Sequence, residues 1–134
     1  MIIDKGSTDK IKEGDSIVYK DNLLGKVGKT SPHFSIVYLL NHKGISFTAT
    51  TTKTEASGIV KGVGDAGIIL DNTLLSDKLD QGDTVVTKDQ PILVVGKIIS
   101  VNKKASNLFQ SADIKSLVDT QKLKMVFVLP REGN

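Results

Sequence analysis

The 134-residue chain contains no cysteine. No disulfide can staple it, no thiolate can attack a substrate or bind a metal, and its redox compartment stays open. Arginine is nearly absent: of 18 basic residues only Arg131 is one, and the rest are lysines. Arginine's planar fork is what grips phosphate and guanine bidentately. The net charge of +3 therefore reads as a solvated lysine surface, not as a nucleic-acid footprint. The few aromatics (Tyr19, Phe34, Tyr38, Phe47, Phe109 and Phe127) are scattered, whereas base stacking needs a platform. No apolar run exceeds five residues, Ile36 to Leu40 being one such run, against roughly 18–20 for a membrane span. No stretch reads as a secretory signal. Helical periodicity is scarce too, and only "SADIKSLVD" (Ser111 to Asp119) carries it.

What the chain does have is a repeat. "TDKIKEGDSIVYKDN" (Thr8 to Asn22) returns 68 residues later as "SDKLDQGDTVVTKDQ" (Ser76 to Gln90), with seven positions identical and six conservatively changed. That offset is about half the chain, and only two copies exist, which suggests two similar halves, since a solenoid needs about three repeats or more. Each copy reads as a hydroxyl-capped turn, an Ile or Leu to pin it, and a glycine (Gly14, Gly82) suited to a positive φ. An alternating β-branched strand follows, then a Lys-Asp turn and a second strand bearing Gly-Lys, "LLGKVGK" or "VVGKIISV".

Period-two alternation predicts further strands. "ISFTATTT" places Ile45, Phe47 and Ala49 on one face. "KLKMVFVL" (Lys122 to Leu129) places Leu123, Met125, Phe127 and Leu129 on one face. "HFSIVYLL" (His33 to Leu40) is apolar on both faces, as a strand between layers or lobes would be. Other strands fit Ser57 to Lys61, Gly67 to Asp71 and Leu108 to Ile114. About eleven short strands with turns every 8–12 residues predict an all-β fold with little helix. The duplication divides it into two small side-by-side β-barrels of about six strands each. The expected division is 1–56 for the first lobe, with recruitment of the C-terminal strand, and 57–134 for the second. Lobes this small would be marginal alone, so a shared interface is expected.

Candidate chemistry is thin. Gly62-Val63-Gly64-Asp65-Ala66-Gly67 matches the G-x-G-x-x-G pattern of dinucleotide sites, but that fingerprint needs a helix after it. Here "IILDN" follows, so a glycine-rich hairpin is expected. His33 and His42 sit near opposite ends of one predicted strand, poorly placed to share a metal. No Gly-x-Ser-x-Gly turn marks a nucleophile. The sequence thus assigns no catalytic, cofactor-binding or metal-binding residue, and no cofactor; the chain reads as a non-enzyme. Gly-Asp-x-Val also echoes biotinyl and lipoyl carrier domains, with Lys78 and Lys124 as the nearest candidates for the modified lysine. Such a carrier, or a basic β-barrel nucleic-acid module, is the alternative function.

The order of motifs resembles the β-domain of MreC-type rod shape-determining proteins. The carriers of the likeness are "IIDKGSTDKIKEGDSIVYKDNLLGKV", "IVYLL", "SGIVKGVGDAGIIL", "QGDTVVT", "VVGKI" and "LFQSADIKSLVDTQKLKMVFVL", together spanning residues 2 to 129. The segment "KDQPIL" is shorter than the family's loop after Val-Thr and keeps only Pro91. The resemblance implies a non-enzymatic scaffold that organises cell-wall synthesis enzymes of the bacterial elongation machinery. It implies a place on the extracytoplasmic (periplasmic) face of the inner membrane. It also implies MreB, MreD, RodA and a class B penicillin-binding transpeptidase as partners, with no nucleic acid. In the family a membrane helix and a coiled coil precede this domain, so both are expected ahead of Met1, the coiled coil carrying self-association. The isolated chain is then expected to be monomeric in dilute solution and to gain avidity once paired.

Overall fold

Alternation becomes β-strand at eleven places in the computed structural model, which describes residues 1–103 and 108–130. The strands are β1 (Ile2–Ile3), β2 (Ser16–Tyr19), β3 (Asn22–Thr30), β4 (Ser35–Leu39), β5 (Ser46–Thr51) and β6 (Ser57–Gly62). They continue as β7 (Ile68–Leu74), β8 (Thr84–Thr87), β9 (Val94–Lys103), β10 (Phe109–Lys115) and β11 (Phe127–Leu129). The helical content among the described residues is three short 3₁₀ turns. Arg131 lies outside the described residues.

Strand pairing resolves into two units. In the order β9-β10-β7-β6-β5-β8, each strand pairs antiparallel with the next, and β8 pairs back onto β9. This is a closed six-stranded barrel, and closure leaves no free edge. The N-terminal unit is an open run, β11-β2-β3-β4-β1. It curls around its own core, because Ile3 of β1 and Val128 of β11 pack against the same buried cluster of Ile11, Ile17, Leu24, Val27 and Val37. Among the described residues, the expected pair of six-stranded barrels is therefore found as one closed barrel and one open run of five strands. The units are not separate sheets either: a parallel bridge, Asn22↔Val94, joins β3 to β9.

The strands at the junction explain the doubly apolar stretches. Val18, Leu23 and Leu40 belong to the barrel core, whereas their neighbours Ile17, Leu24 and Leu39 pack in the smaller one. Successive side chains point to opposite faces, so a strand lying between two cores must be apolar on both. That is why "IVYLL" reads as it does. A division at residue 56/57 passes between β5 and β6, which are hydrogen-bonded in register from Ser46↔Lys61 to Thr50↔Ser57. The C-terminal strand β11 pairs with β2.

The repeat is structural in detail. Gly14 and Gly82 both have φ 91°, and their N–H groups donate to Val27 O and Ile98 O, each at 2.8 Å. Ile11 and Leu79 are both buried, each in its own core. β2 and β8 share the same burial alternation, and the register slips after Ile17 in one and after Val85 in the other. Gly62–Gly67 is a turn between the paired strands β6 and β7, as expected.

One expectation is met and another corrected. The strand read over Leu108 to Ile114 is β10 (Phe109–Lys115), with Gln110, Ala112 and Ile114 buried on one face, and the helical spacing of Ser111 to Asp119 gives no helix. Strands β7 and β9 flank β10 on both sides, so ladder hydrogen bonds and period-two burial override the local helical pattern. Lys122 to Leu129 is not one strand, because a 3₁₀ turn (Thr120–Lys122) precedes it and only Phe127–Leu129 pairs. Val126 and Val128 pack inward while Met125 is 65% and Phe127 55% exposed. A one-residue change of register exchanges the faces.

Asp83, the aspartate of the second Gly-Asp, joins two strands. Its buried carboxylate accepts the N–H groups of Thr84 (2.8 Å), Lys53 (3.0 Å) and Thr54 (3.3 Å), tying the β5–β6 turn to the start of β8. Burial raises its pKa, but these backbone donors and the Thr52 hydroxyl outweigh burial and hold it below the ordinary aspartate value. The ionised form thus favours the fold above the unfolded pKa, and that stabilisation disappears as pH falls through the lowered folded pKa. Asp83→Ala is expected to cost about 2–3 kcal/mol at neutral pH and to flatten the acid limb of the stability profile. Urea titrations from pH 7 to pH 2 would check both; an unchanged acid limb would contradict the role.

Candidate partner-binding surfaces

The candidate residues from sequence do not converge on a reaction centre. His42 stacks on Tyr38 with ring centroids 4.2 Å apart, and its Nδ1 accepts the Gly44 N–H at 3.1 Å. His33 is exposed on the segment before β4. Among the described residues no three His, Asp or Glu side chains gather as metal ligands. Lys78 lies in the connection between β7 and β8, and Lys124 between the last 3₁₀ turn and β11. Neither occupies the tip of a hairpin, where a carrier domain presents its lysine.

Three surface features remain. The first is a groove of about 610 Å³ where the two units meet, with Leu23, Phe47, Leu93 and Leu129 among its apolar walls. Lys26 spans it, donating to Ser16 Oγ at 2.9 Å with its Nζ 5.9 Å from the Phe47 ring centroid. The loop on one side is held by Thr87, whose hydroxyl accepts the Leu93 N–H at 2.9 Å and reaches Pro91 O at 3.1 Å.

The second is an apolar patch on the closed barrel. Leu74 and Phe109 are cross-strand partners, and Leu75 N–H donates to Leu108 O at 2.9 Å. All four side chains are exposed, Leu108 by 77%. Their backbone is firmly placed, because the buried Gln110 amide donates to Leu74 O (3.0 Å) and Asp77 O (2.7 Å). Sequence reading passed over these residues, although a signal was present. In a strand, adjacent apolar residues point to opposite faces, so Leu74-Leu75 and Leu108-Phe109 cannot both be wholly internal. Exposed apolar side chains gathered at one end of a barrel mark contact sites.

The third is the seam of the open unit, a groove of about 640 Å³ between β1 and the segment leading into β11. Both β1 and β11 are edge strands here, each with one neighbour only among the described residues. Among the described residues, no helix is long and apolar enough to cross a membrane.

The barrel-core model of the rod shape-determining protein MreC matches residues 1–130. A solved MreC from Listeria monocytogenes is 30% identical and superposes with a TM-score of 0.87, over 98% of this chain and 68% of that one. MreC from Pseudomonas aeruginosa shares 20% identity at a TM-score of 0.76, over 87% of this chain and 80% of that one. MreC from Helicobacter pylori, solved in complex with the penicillin-binding protein PBP2, shares 17% identity at a TM-score of 0.72. That match covers 88% of this chain and 79% of that one. The last two identities speak for the fold alone. No curated protein matches the chain. The duplicated Gly-Asp strands, the barrel they build and the match over residues 1–130 together place this chain in the MreC family of rod shape-determining proteins.

Proposed function

We propose that the chain is a non-enzymatic scaffold of the cell-elongation machinery, working on the extracytoplasmic face of the inner membrane, with a class B penicillin-binding transpeptidase as a direct partner. The observation that carries this is the rigidly backed apolar patch of Leu74, Leu75, Leu108 and Phe109. Family membership and the relative solved with a penicillin-binding protein support the choice of partner. In this reading residues 45–103 and 108–115 form the partner-bearing barrel, and 1–44 with 116–130 form the lobe beside it. Attachment to the membrane and association with MreB, MreD, RodA and further copies belong to the same proposal.

A few well-packed anchors, aromatic ones above all, dominate such interfaces, and losing a single one costs about 2 kcal/mol or more. Leu108→Asp combined with Phe109→Asp is expected to weaken capture of the purified transpeptidase ectodomain by about 30-fold or more. The melting temperature should move little, since neither side chain is buried. Affinity retained within about threefold would remove the patch from the interface. Loss of affinity with the same loss from Met125→Asp, on the other unit, would mean a non-specific effect.

A further inference from the structure

The glycine-rich turn between β6 and β7 borders a pocket of about 270 Å³ where the two units meet. Its floor is Leu24 of β3, Leu40 just after β4, Ile68 of β7 and Ile114 of β10. All four side chains are buried, Leu24 in the small core and the other three in the barrel core, so packing holds them from behind. On the rim, a Cβ at Gly67 would meet no atom within 4 Å, and the mouth is open there. Lys115 forms another part of the rim. Its direct partner across the ladder is Lys97, and both are exposed. Residues directly opposite project to the same face with Cβ atoms about 5 Å apart, and like charges so placed destabilise a sheet. Among the described residues the ion pairs are Lys53–Asp80, Lys61–Asp71 and Lys78–Asp80, and neither lysine of this pair takes part. Asp119, in the segment after β10, is engaged locally, accepting the Gln121 N–H at 3.0 Å. The fold therefore carries an uncompensated cost at the mouth of an apolar pocket.

We infer that this pocket and its lysine pair form a docking site for a protein segment in which a large apolar side chain is followed by a carboxylate. Charge complementarity selects the occupant. Two ammonium groups on neighbouring strands can reach one carboxylate together, each as a hydrogen-bond donor without an acceptor, and the acid relieves their repulsion. Exposed ion pairs contribute little by themselves. The apolar side chain supplies the larger share, since it leaves water for a floor of four aliphatic residues. Polyanions in general do not fit this description, because they have nothing to place in the pocket. The floor draws on both cores, so an occupant would also bind the two units to each other. This surface is separate from the patch assigned to the transpeptidase: Phe109 and Lys115 stand at opposite ends of β10, about 20 Å apart.

The probe is the blocked peptide acetyl-Gly-Ser-Phe-Asp-Asp-Ser-Gly-amide, titrated to millimolar concentration into the isotopically labelled chain. The amides of Ile68, Ile114 and Lys115 are expected to shift saturably in heteronuclear NMR spectra, while those of Leu74 and Phe109 stay in place. Asn-Asn in place of Asp-Asp should weaken binding about fivefold or more, and Ala in place of Phe about tenfold or more. Lys97→Gln combined with Lys115→Gln should also weaken it about fivefold. The melting temperature of that variant should hold or rise, because a like-charge pair is removed. A fall of about 3 °C or more would assign the lysines to the fold and overturn the proposal. So would the absence of saturable shifts, or equal affinity for the Asp-Asp and Asn-Asn peptides. Tighter binding of acetyl-Gly-Ser-Gly-Ser-Phe with a free carboxylate would make a chain end the occupant and likewise overturn it. No transpeptidase enters these measurements, so the result is independent of the patch.

Discussion

Leu70→Ala is expected to cost about 3–4 kcal/mol of stability and to lower the melting temperature by roughly 10–15 °C. Leu70 is fully buried in the closed barrel, and its backbone is paired on both sides, with Val60 and with Ala112. Both neighbours are fully buried as well. Truncating the side chain removes apolar area from the core and leaves a cavity that the surrounding structure can only partly close. Here collapse is opposed on two flanks, because moving β7 inward would break ladders to β6 and β10 together. Met125→Ala, on a side chain largely in water, should stay within about 0.5 kcal/mol. Urea unfolding followed by circular dichroism gives both numbers. A cost below about 1 kcal/mol for Leu70→Ala would mean that the barrel is far more compliant than its pairing implies.

The two glycines of the Gly-Lys strands carry the second large effect. A Cβ at Gly96 would fall against the Lys115 carbonyl oxygen and 2.8 Å from Ile114 Cγ2; one at Gly25 would fall against the Tyr38 carbonyl oxygen and 3.1 Å from Leu39 Cα. The obstructing atoms are mainly backbone of the neighbouring strand, β10 in one unit and β4 in the other, so no rotamer change relieves them. Gly25→Ala and Gly96→Ala are each expected to cost about 2–3 kcal/mol by forcing strands apart. Gly67→Ala gives the contrast. Its φ of 101° is unfavourable for alanine, yet no atom lies within 4 Å of the added methyl. Backbone strain alone should cost it about 1–2 kcal/mol. Chemical denaturation of the three variants separates close approach from conformational strain. Equal losses in all three would refute the steric account.

These glycines also mark how far local sequence reaches. The repeat could be read because each copy needs the same local device: a buried Ile or Leu, a glycine at φ 91° and a short strand after it. Such requirements are met by residues close in sequence, so they leave a recognisable string. Alternation in Ile45, Phe47 and Ala49 was legible for the same reason: one face meets the barrel core. The order of motifs carried the family resemblance.

Other features had no local cause. Ser111 to Asp119 has helical spacing, yet its first five residues, through Lys115, are strand because β7 and β9 offer ladders on both sides. The face that Val126 and Val128 present was set by where the segment re-enters beside β2, after a 3₁₀ turn of its own. The exposed patch required Leu74 and Phe109, 35 positions apart in the numbering, to become cross-strand partners. By itself, then, the sequence determined an all-β chain, its duplicated Gly-Asp units and its family. Which strands meet to close the barrel was decided by tertiary structure alone: β5 pairs with β8 and β7 with β10 across long stretches of chain, and such ladders leave no trace in the residues that lie between them.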